Sequence, residues 1–187
     1  FAVQAVIKKA VDQGGFQDGD IWILNDPYLG GTHLSDFRLI KPYFFDGKLF
    51  CHLASVGHWH DVGGNVPGNY NPVATECFQE GMLIPPVKLF RNGEINQDII
   101  DILQSNSRQP VSLYGDLNGQ INALALGTKR LDALLKEYGP DLVSEVMLEL
   151  RKRAATLMSV NIGELPDGCW SVTDYLDNDG IVDSPLE

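Results

Sequence analysis

The order of apolar and polar positions predicts one short helix, then several strands, then two long helices. Apolar residues near the start follow a helical stripe that ends at the glycine pair 14–15. The next apolar run, DIWIL at 20–24, is short and contains β-branched residues, as in a buried strand. The segment NDPYLGGTHLSD that follows is rich in turn-forming residues, so we predict a loop.

A β-hairpin is predicted next. The strand-like segments 37–45 and 48–57 flank Asp46-Gly47, and a two-residue Asp-Gly connection is a strong hairpin signal. Residues 58–72 are rich in Gly, Pro and Asn, which indicates a second loop. The segment MLIPPVKLF at 82–90 predicts a strand interrupted by its two prolines, either an edge strand or a bulge, and Asn92-Gly93 predicts a second tight turn.

The second half of the chain is predicted to be helical. A helix is expected at 96–106, a longer one from about Leu113 to Tyr138, and another from Pro140 through an apolar stripe that reaches Met158. The last segment, CWSVTDYLDNDG, predicts a strand and a hairpin turn, since it lacks the first acid and the closing Glu of a calcium loop.

These elements predict an α+β fold, with a mostly antiparallel sheet of hairpins followed by a long antiparallel helical pair. We expect a single domain over residues 1–187. The sequence begins inside an apolar stripe without Met and stops where a returning strand is expected. We therefore predict that the chain is a fragment of a longer polypeptide.

Composition narrows the class of protein. The chain has 187 residues, of which 44% are hydrophobic and 21% charged, as in a globular domain. No apolar run approaches the roughly 20 residues that cross a bilayer, so no membrane span is expected. The net charge of −11 argues against binding to nucleic acid. Three separated cysteines without a C-x-x-C motif indicate a reducing compartment.

Candidate chemistry is concentrated in two loops at the ends of the predicted hairpin. NDPYLGGTHLSD carries His33 and Asp36, and GHWHDVGG carries His58, His60 and Asp61. Because the first loop enters one strand and the second leaves the other, we expect His33 and Asp36 to lie close to His58 and Asp61. Imidazole and carboxylate suit Zn²⁺, Mn²⁺ or Fe²⁺. The alternative is that the polar residues only stabilise turns.

Four blocks resemble one known family. GDIWILNDPYLGGTHLSD, GHWHDVGGNVPGNY, EGMLIPPVKLFRNGE and NSRQPVSLYGDLNGQINA occur in the order found in the hydantoinase B/oxoprolinase family, over roughly residues 16 to 140. The resemblance implies a cytoplasmic, ATP-dependent enzyme that forms a hetero-oligomer with a hydantoinase A-type partner. That partner, as a subunit or a fused domain, binds the ATP; this chain has no phosphate-binding glycine motif of its own.

Site residues are implied by the same resemblance. His33, His58 and Asp61 match the family's metal-binding pattern. Asp36 is expected to be a further ligand, a partner that orients His33 or a general base, and Glu80 to be an active-site carboxylate. His60 departs from the family pattern and is an extra ligand, a proton shuttle or a surface replacement. The segment from Arg108 to Asp116 is expected to be structural or interfacial.

Three functions are consistent with these residues. The first is the metal-bearing B-type subunit of an ATP-dependent hydrolase of cyclic amides such as hydantoins, 5-oxoproline or lactams. The second is the metal-bearing subunit of an ATP-dependent carboxylase of ketones such as acetone or acetophenone. The third is a scaffold without catalytic activity that binds the ATP-binding partner.

Overall fold

The fold is α+β, as the sequence predicts, and the computed structural model describes residues 1–175. Five strands form one antiparallel sheet with the order β3-β2-β1-β4-β5. The strands are β1 (Ile21–Leu24), β2 (Asp36–Phe45), β3 (Lys48–His58), β4 (Val87–Arg91) and β5 (Glu94–Ile95). The helices are α1 (Ala2–Asp12), α2 (Gln97–Ser105), α3 (Pro110–Tyr138) and α4 (Pro140–Gly163).

Strand β1 is apolar throughout because both faces of the sheet are covered. Ile21 and Ile23 belong to one core cluster, which also contains residues of α2 and α3. Trp22 and Leu24 belong to a second cluster with the buried residues of α1. Successive strand residues point to opposite faces, so the four-residue strand is anchored in both clusters.

The predicted β2–β3 hairpin is present. Asp46 and Gly47 form its turn with positive φ angles of 48° and 74°, the backbone conformation that favours Asp-Gly at this position. Pairing extends from this turn to the opposite end of the hairpin, where Asp36 faces His58. The first residue of β2 and the last residue of β3 are therefore cross-strand neighbours.

The prolines at 85 and 86 delay the fourth strand rather than interrupting it. Strand β4 begins at Val87, because proline has no amide hydrogen to donate to the sheet. It is not an edge strand, since it pairs with β1 on one side and with the two-residue β5 on the other. The expected irregularity appears as a register shift between Ile21 and Trp22 in the β1–β4 pairing.

The chain divides into two compact units, one from Phe1 to Glu137 and one from Tyr138 onwards. Single-domain organisation over 1–187 stays a prediction. In the second unit, α4 begins at Pro140 after Gly139, whose φ is 81°. Its only buried residue is Val143, so the rest of the predicted apolar stripe is exposed.

Two sequence predictions concern the end of the chain. The described residues 169–175 form no strand, although one is predicted there. The predicted hairpin turn at 176–180 lies outside the described residues. Among residues 1–175, no helix combines the length and the apolar character that crossing a bilayer requires.

Candidate metal centre

Three side chains meet at the open end of the hairpin. His58 Nδ1 lies 2.7 Å from Asp36 Oδ1 across the last cross-strand pair. The backbone amide of His33 donates to Asp36 Oδ2 at 3.0 Å, and His33 Nδ1 lies 3.4 Å from the same oxygen. One ligand atom from each residue lies within 4.8 Å of the other two. We call these three residues the His–Asp–His group.

The carboxylate of this group is more protected from solvent than its two imidazoles. The side chain of Asp36 is 16% exposed, against 64% for His33 and 63% for His58. Burial disfavours ionisation of Asp36, but hydrogen bonds from His58 and from the His33 amide outweigh it, so its pKa is lowered. The buried guanidinium of Arg38 lies 3.8 Å from the same carboxylate. The group therefore offers an ionised oxygen and two accessible nitrogens.

The loop that carries His33 is fixed by Asn25, which follows strand β1 and is fully buried. Its side-chain amide donates to the carbonyl oxygens of Leu34 at 2.7 Å and Met82 at 2.8 Å. Its side-chain oxygen accepts from the amide of Ile84 at 2.6 Å. The sequence identifies Asn25 only as a turn former, because its partners at 82 and 84 are distant along the chain.

Asp61 is held in a separate set of hydrogen bonds, which we call the Asp61 network. Its carboxylate accepts from the amides of Gly63, Gly68 and Arg108, each at 3.1 Å, and from the Arg108 guanidinium at 3.2 Å. Burial raises its pKa, but these hydrogen bonds have the larger effect, and the pKa is lowered overall. Arg108 also donates to the carbonyl oxygen of Gly64 at 2.7 Å, which agrees with the structural alternative given for the segment 108–116.

The structure brings together two of the three metal ligands that the resemblance implies, His33 and His58, and adds Asp36 to them. The structure brings Asp36 to His33 and His58, and Asp61 is not a member of that group. The reason is that the chain turns inward after β3, so the Asp61 carboxylate meets backbone amides and a guanidinium instead of the imidazoles. The predicted proximity across the hairpin is confirmed for His33, Asp36 and His58.

His60 lies outside both arrangements. Residues 58 to 61 alternate between exposed and buried, with Trp59 and Asp61 inside. Among the described residues, His60 forms no hydrogen bond or ion pair. It is absent from the His–Asp–His group and from the lining of the adjacent cavity. Its exposure and its lack of partners among the described residues favour the interpretation of His60 as a surface residue.

A cavity of about 370 Å³ opens beside the His–Asp–His group. Its lining combines ligand candidates with polar residues of the two loops: His33, Leu34, Ser35, His58, Gly68, Asn69, Tyr70, Asn71, Pro72 and Glu80. The side chain of Glu80 forms no hydrogen bond or ion pair with any described residue. The cavity that the imidazoles of His33 and His58 line is therefore also lined by the carboxylate of Glu80, which has no partner among the described residues.

The far wall of the cavity is held in shape by asparagines. Asn69, which has a φ of 64°, accepts from the amide of Val62 at 3.0 Å and donates to the carbonyl of Glu80 at 2.9 Å. Asn71 accepts from the amide of Val73 at 3.2 Å. The sequence shows only an Asn-rich loop here, and the positive φ at Asn69 is the feature that a run of Gly and Asn makes accessible.

The sequence matches the family model for hydantoinase B/oxoprolinase over residues 1–187. The beta subunit of caprolactamase from Pseudomonas jessenii is 39% identical over 163 residues, which cover 87% of this chain and 28% of that protein. A protein from Pseudomonas sp. strain NS671, assigned as the B-type subunit of a D-/L-hydantoinase, is 32% identical over 90% of this chain and 28% of its own length.

A solved structure has the same fold. The crystal structure of ATP-dependent caprolactamase from Pseudomonas jessenii superimposes with a TM-score of 0.82 at 38% identity, over 89% of this chain and 28% of that one. The chain thus spans a little over a quarter of the length of each of these relatives. It belongs to the hydantoinase B/oxoprolinase family.

Proposed function

We propose that His33, Asp36 and His58 hold a divalent cation. The observation that carries the proposal is the convergence of one oxygen and two imidazole nitrogens within 4.8 Å at the mouth of a cavity. Two imidazoles and a carboxylate are a donor set that suits Mn²⁺, Zn²⁺ or Fe²⁺. We propose Asp36 rather than Asp61 as the carboxylate ligand, because the Asp61 carboxylate already accepts four hydrogen bonds.

The cation would polarise a substrate carbonyl or lower the pKa of bound water. The protein residues around it would supply the remaining functions. Glu80, which has no partner among the described residues, is placed to accept or return a proton in the cavity. The hydrogen bonds from His58 and from the His33 amide favour the ionised state of Asp36. The asparagines of the far wall fix the shape of the cavity and leave Tyr70 exposed at its rim.

The reaction proposed for the whole protein is ATP-dependent opening of a cyclic amide, with this chain as part of the B-type subunit. The family supports this class of reaction, and relatives that bear the names of caprolactamase and hydantoinase subunits match most of the chain. ATP would bind to an A-type partner, so the active protein would be a hetero-oligomer. Carboxylation of a ketone is the second candidate, since the family includes ketone carboxylases.

A substrate panel distinguishes these functions. ATP consumption by the purified complex would be measured with hydantoins, 5-oxoproline and lactams, and separately with acetone or acetophenone plus bicarbonate. Amide-dependent ATP consumption that His58→Ala abolishes and His60→Ala retains supports the hydrolase. Bicarbonate-dependent consumption with ketones identifies a carboxylase. Full activity of His58→Ala contradicts a catalytic cation site and leaves the scaffold.

A further inference from the structure

Gln120 is the one polar residue among the buried positions of helix α3. The other buried residues on this helix are leucines: Leu113, Leu117, Leu124 and Leu135. Gln120 follows Leu117 by three residues and precedes Leu124 by four, so it lies on the same face of the helix as both. An amide at such a position is unfavourable unless it is hydrogen-bonded, so its partners indicate why it is there.

The side chain of Gln120 reaches both strands of the hairpin beside the His–Asp–His group. Its oxygen accepts from the indole Nε1 of Trp59 at 2.8 Å. Its nitrogen donates to the carbonyl oxygen of Phe37 at 3.0 Å and to that of Ser55 at 3.3 Å. One side chain on α3 therefore connects the start of β2, the end of β3 and the first residue after β3.

Close packing keeps this amide against the strand pair next to the group. Phe37 and Gly57 are cross-strand partners, one position inside the Asp36–His58 pair. A Cβ atom on Gly57 would lie 2.8 Å from Cδ of Gln120, so only glycine leaves room for the amide there. A larger residue at 57 would therefore displace the Gln120 amide from its present position.

The residues that flank Asp36 and His58 contact one another as well as the Gln120 amide. The ring of Trp59 stacks on that of Phe37 with centroids 3.9 Å apart and an angle of 2° between the planes. The amide of Trp59 donates to the carbonyl oxygen of Ser35 at 2.9 Å. Asp36 lies between Ser35 and Phe37, and His58 lies between Gly57 and Trp59. Asp36 and His58 are therefore each flanked, on both sides in sequence, by residues that lie against Gln120 or Trp59.

We propose that Gln120 is a positioning residue for the cation site, and this inference rests on the proposed function. Its amide sets the spacing of Asp36 and His58 through the residues beside them and touches neither side chain. A leucine would bury as much apolar surface on α3, but it could not bond the indole and the two carbonyl groups. Positioning groups behind metal ligands typically change metal affinity about 10- to 100-fold when they are removed.

The test compares Gln120→Met with Leu124→Ala on the whole protein as isolated, with any copurifying subunit retained. Gln120→Met keeps the length of the side chain and removes its hydrogen bonds. Leu124→Ala removes a buried side chain from the same helix face and lowers stability, but it leaves the hydrogen bonds of Gln120 to the hairpin in place. Mn²⁺ affinity is measured from the signal of free Mn²⁺ in electron paramagnetic resonance. Thermal unfolding is measured with and without Mn²⁺.

We expect Gln120→Met to bind Mn²⁺ about tenfold or more weakly and to lose most of the Mn²⁺-induced rise in Tm. Leu124→Ala should unfold at a lower temperature but keep the wild-type affinity and the wild-type rise. Equal Mn²⁺ affinity in Gln120→Met and wild type would overturn the inference and leave the cation site intact. A wild-type protein that binds no Mn²⁺ would overturn the cation site itself, and the inference with it.

Trp59→Phe provides a second variant if Gln120→Met does not fold. Phenylalanine still offers an aromatic ring to stack on Phe37, and it removes the indole N–H that donates to the Gln120 oxygen together with one ring of the indole. Weaker Mn²⁺ binding by a folded Trp59→Phe protein supports the positioning role. Unchanged binding overturns it.

Discussion

Asp36 and His58 are 22 residues apart in sequence, yet their side chains are 2.7 Å apart because the β2–β3 hairpin makes them its terminal cross-strand pair. The distance is that of a strong hydrogen bond between an imidazole and a carboxylate. A cation held by Asp36 and His58 would replace this hydrogen bond, and the neutral imidazole would then carry its proton on the other ring nitrogen. The role of Asp36 as a ligand can therefore be tested separately from its role in the fold.

Asp36→Asn is expected to weaken Mn²⁺ binding at least about tenfold, because an amide oxygen is a poorer ligand than a carboxylate. The variant should fold, since the Asn oxygen can still accept from the His33 amide. Asp26→Asn is the matched control. Asp26 lies on the same loop but outside the His–Asp–His group, where it accepts from the amide of Tyr28, and its substitution should leave Mn²⁺ affinity unchanged. Equal affinity in both variants would remove Asp36 from the ligand set.

Asp61→Asn is expected to lower the free energy of unfolding by about 2–4 kcal/mol, because an amide cannot satisfy all the donors that surround this carboxylate. Denaturant unfolding would measure the change, with the exposed Asp116→Asn as a control that shifts stability by less than about 0.5 kcal/mol. Folded Asp61→Asn protein should still bind Mn²⁺. Loss of Mn²⁺ from a well-folded variant would return Asp61 to the ligand set.

The same substitution should change the dependence of stability on pH. The pKa of Asp61 is lower in the folded state than its ordinary value of 3.8. The ionised group therefore stabilises the folded state above about pH 4, and this contribution is lost as the pH falls through the lower folded pKa. Consequently the difference in unfolding free energy between wild type and Asp61→Asn should have its largest value near neutral pH and become smaller below about pH 4. A difference that does not change with pH would contradict this role.

Glu80→Gln is expected to reduce turnover of the complex about 10²- to 10⁴-fold while the metal content stays the same, because the amide cannot accept or return a proton. Glu76→Gln is the control, since Glu76 lies on the same loop, is exposed and does not line the cavity. Turnover would be measured as ATP consumption with the substrate that the panel identifies. Wild-type turnover in Glu80→Gln would show that this carboxylate takes no part in the reaction.

The sequence was sufficient to predict the hairpin and the convergence of its ends, but not which carboxylate lies beside the two imidazoles. Asp46-Gly47 and the apolar segments around it specify local geometry, so the proximity of Asp36 and His58 follows from the pattern alone. The partners of Asp61 depend on where Arg108 lies, and that position is set by packing between distant elements. Sequence spacing contains no signal for that contact.

The sequence also did not predict the roles of the buried polar side chains. Asn25 follows a buried strand as any turn residue would, and Gln120 interrupts a helical stripe as any surface residue would. Asn25 donates to the carbonyl of Met82, which is 57 residues away, and Gln120 accepts from the indole of Trp59, which is 61 residues away. Only the three-dimensional contacts separate these residues from ordinary turn and surface positions.

The most direct test of the cation site is elemental analysis of the purified protein and two variants of neighbouring histidines. His58 belongs to the His–Asp–His group, whereas His60 is exposed and outside it. We expect about one divalent cation per chain in wild type and in His60→Ala, and almost none in His58→Ala. Retention of the metal by His58→Ala, or its loss from His60→Ala alone, would contradict the site.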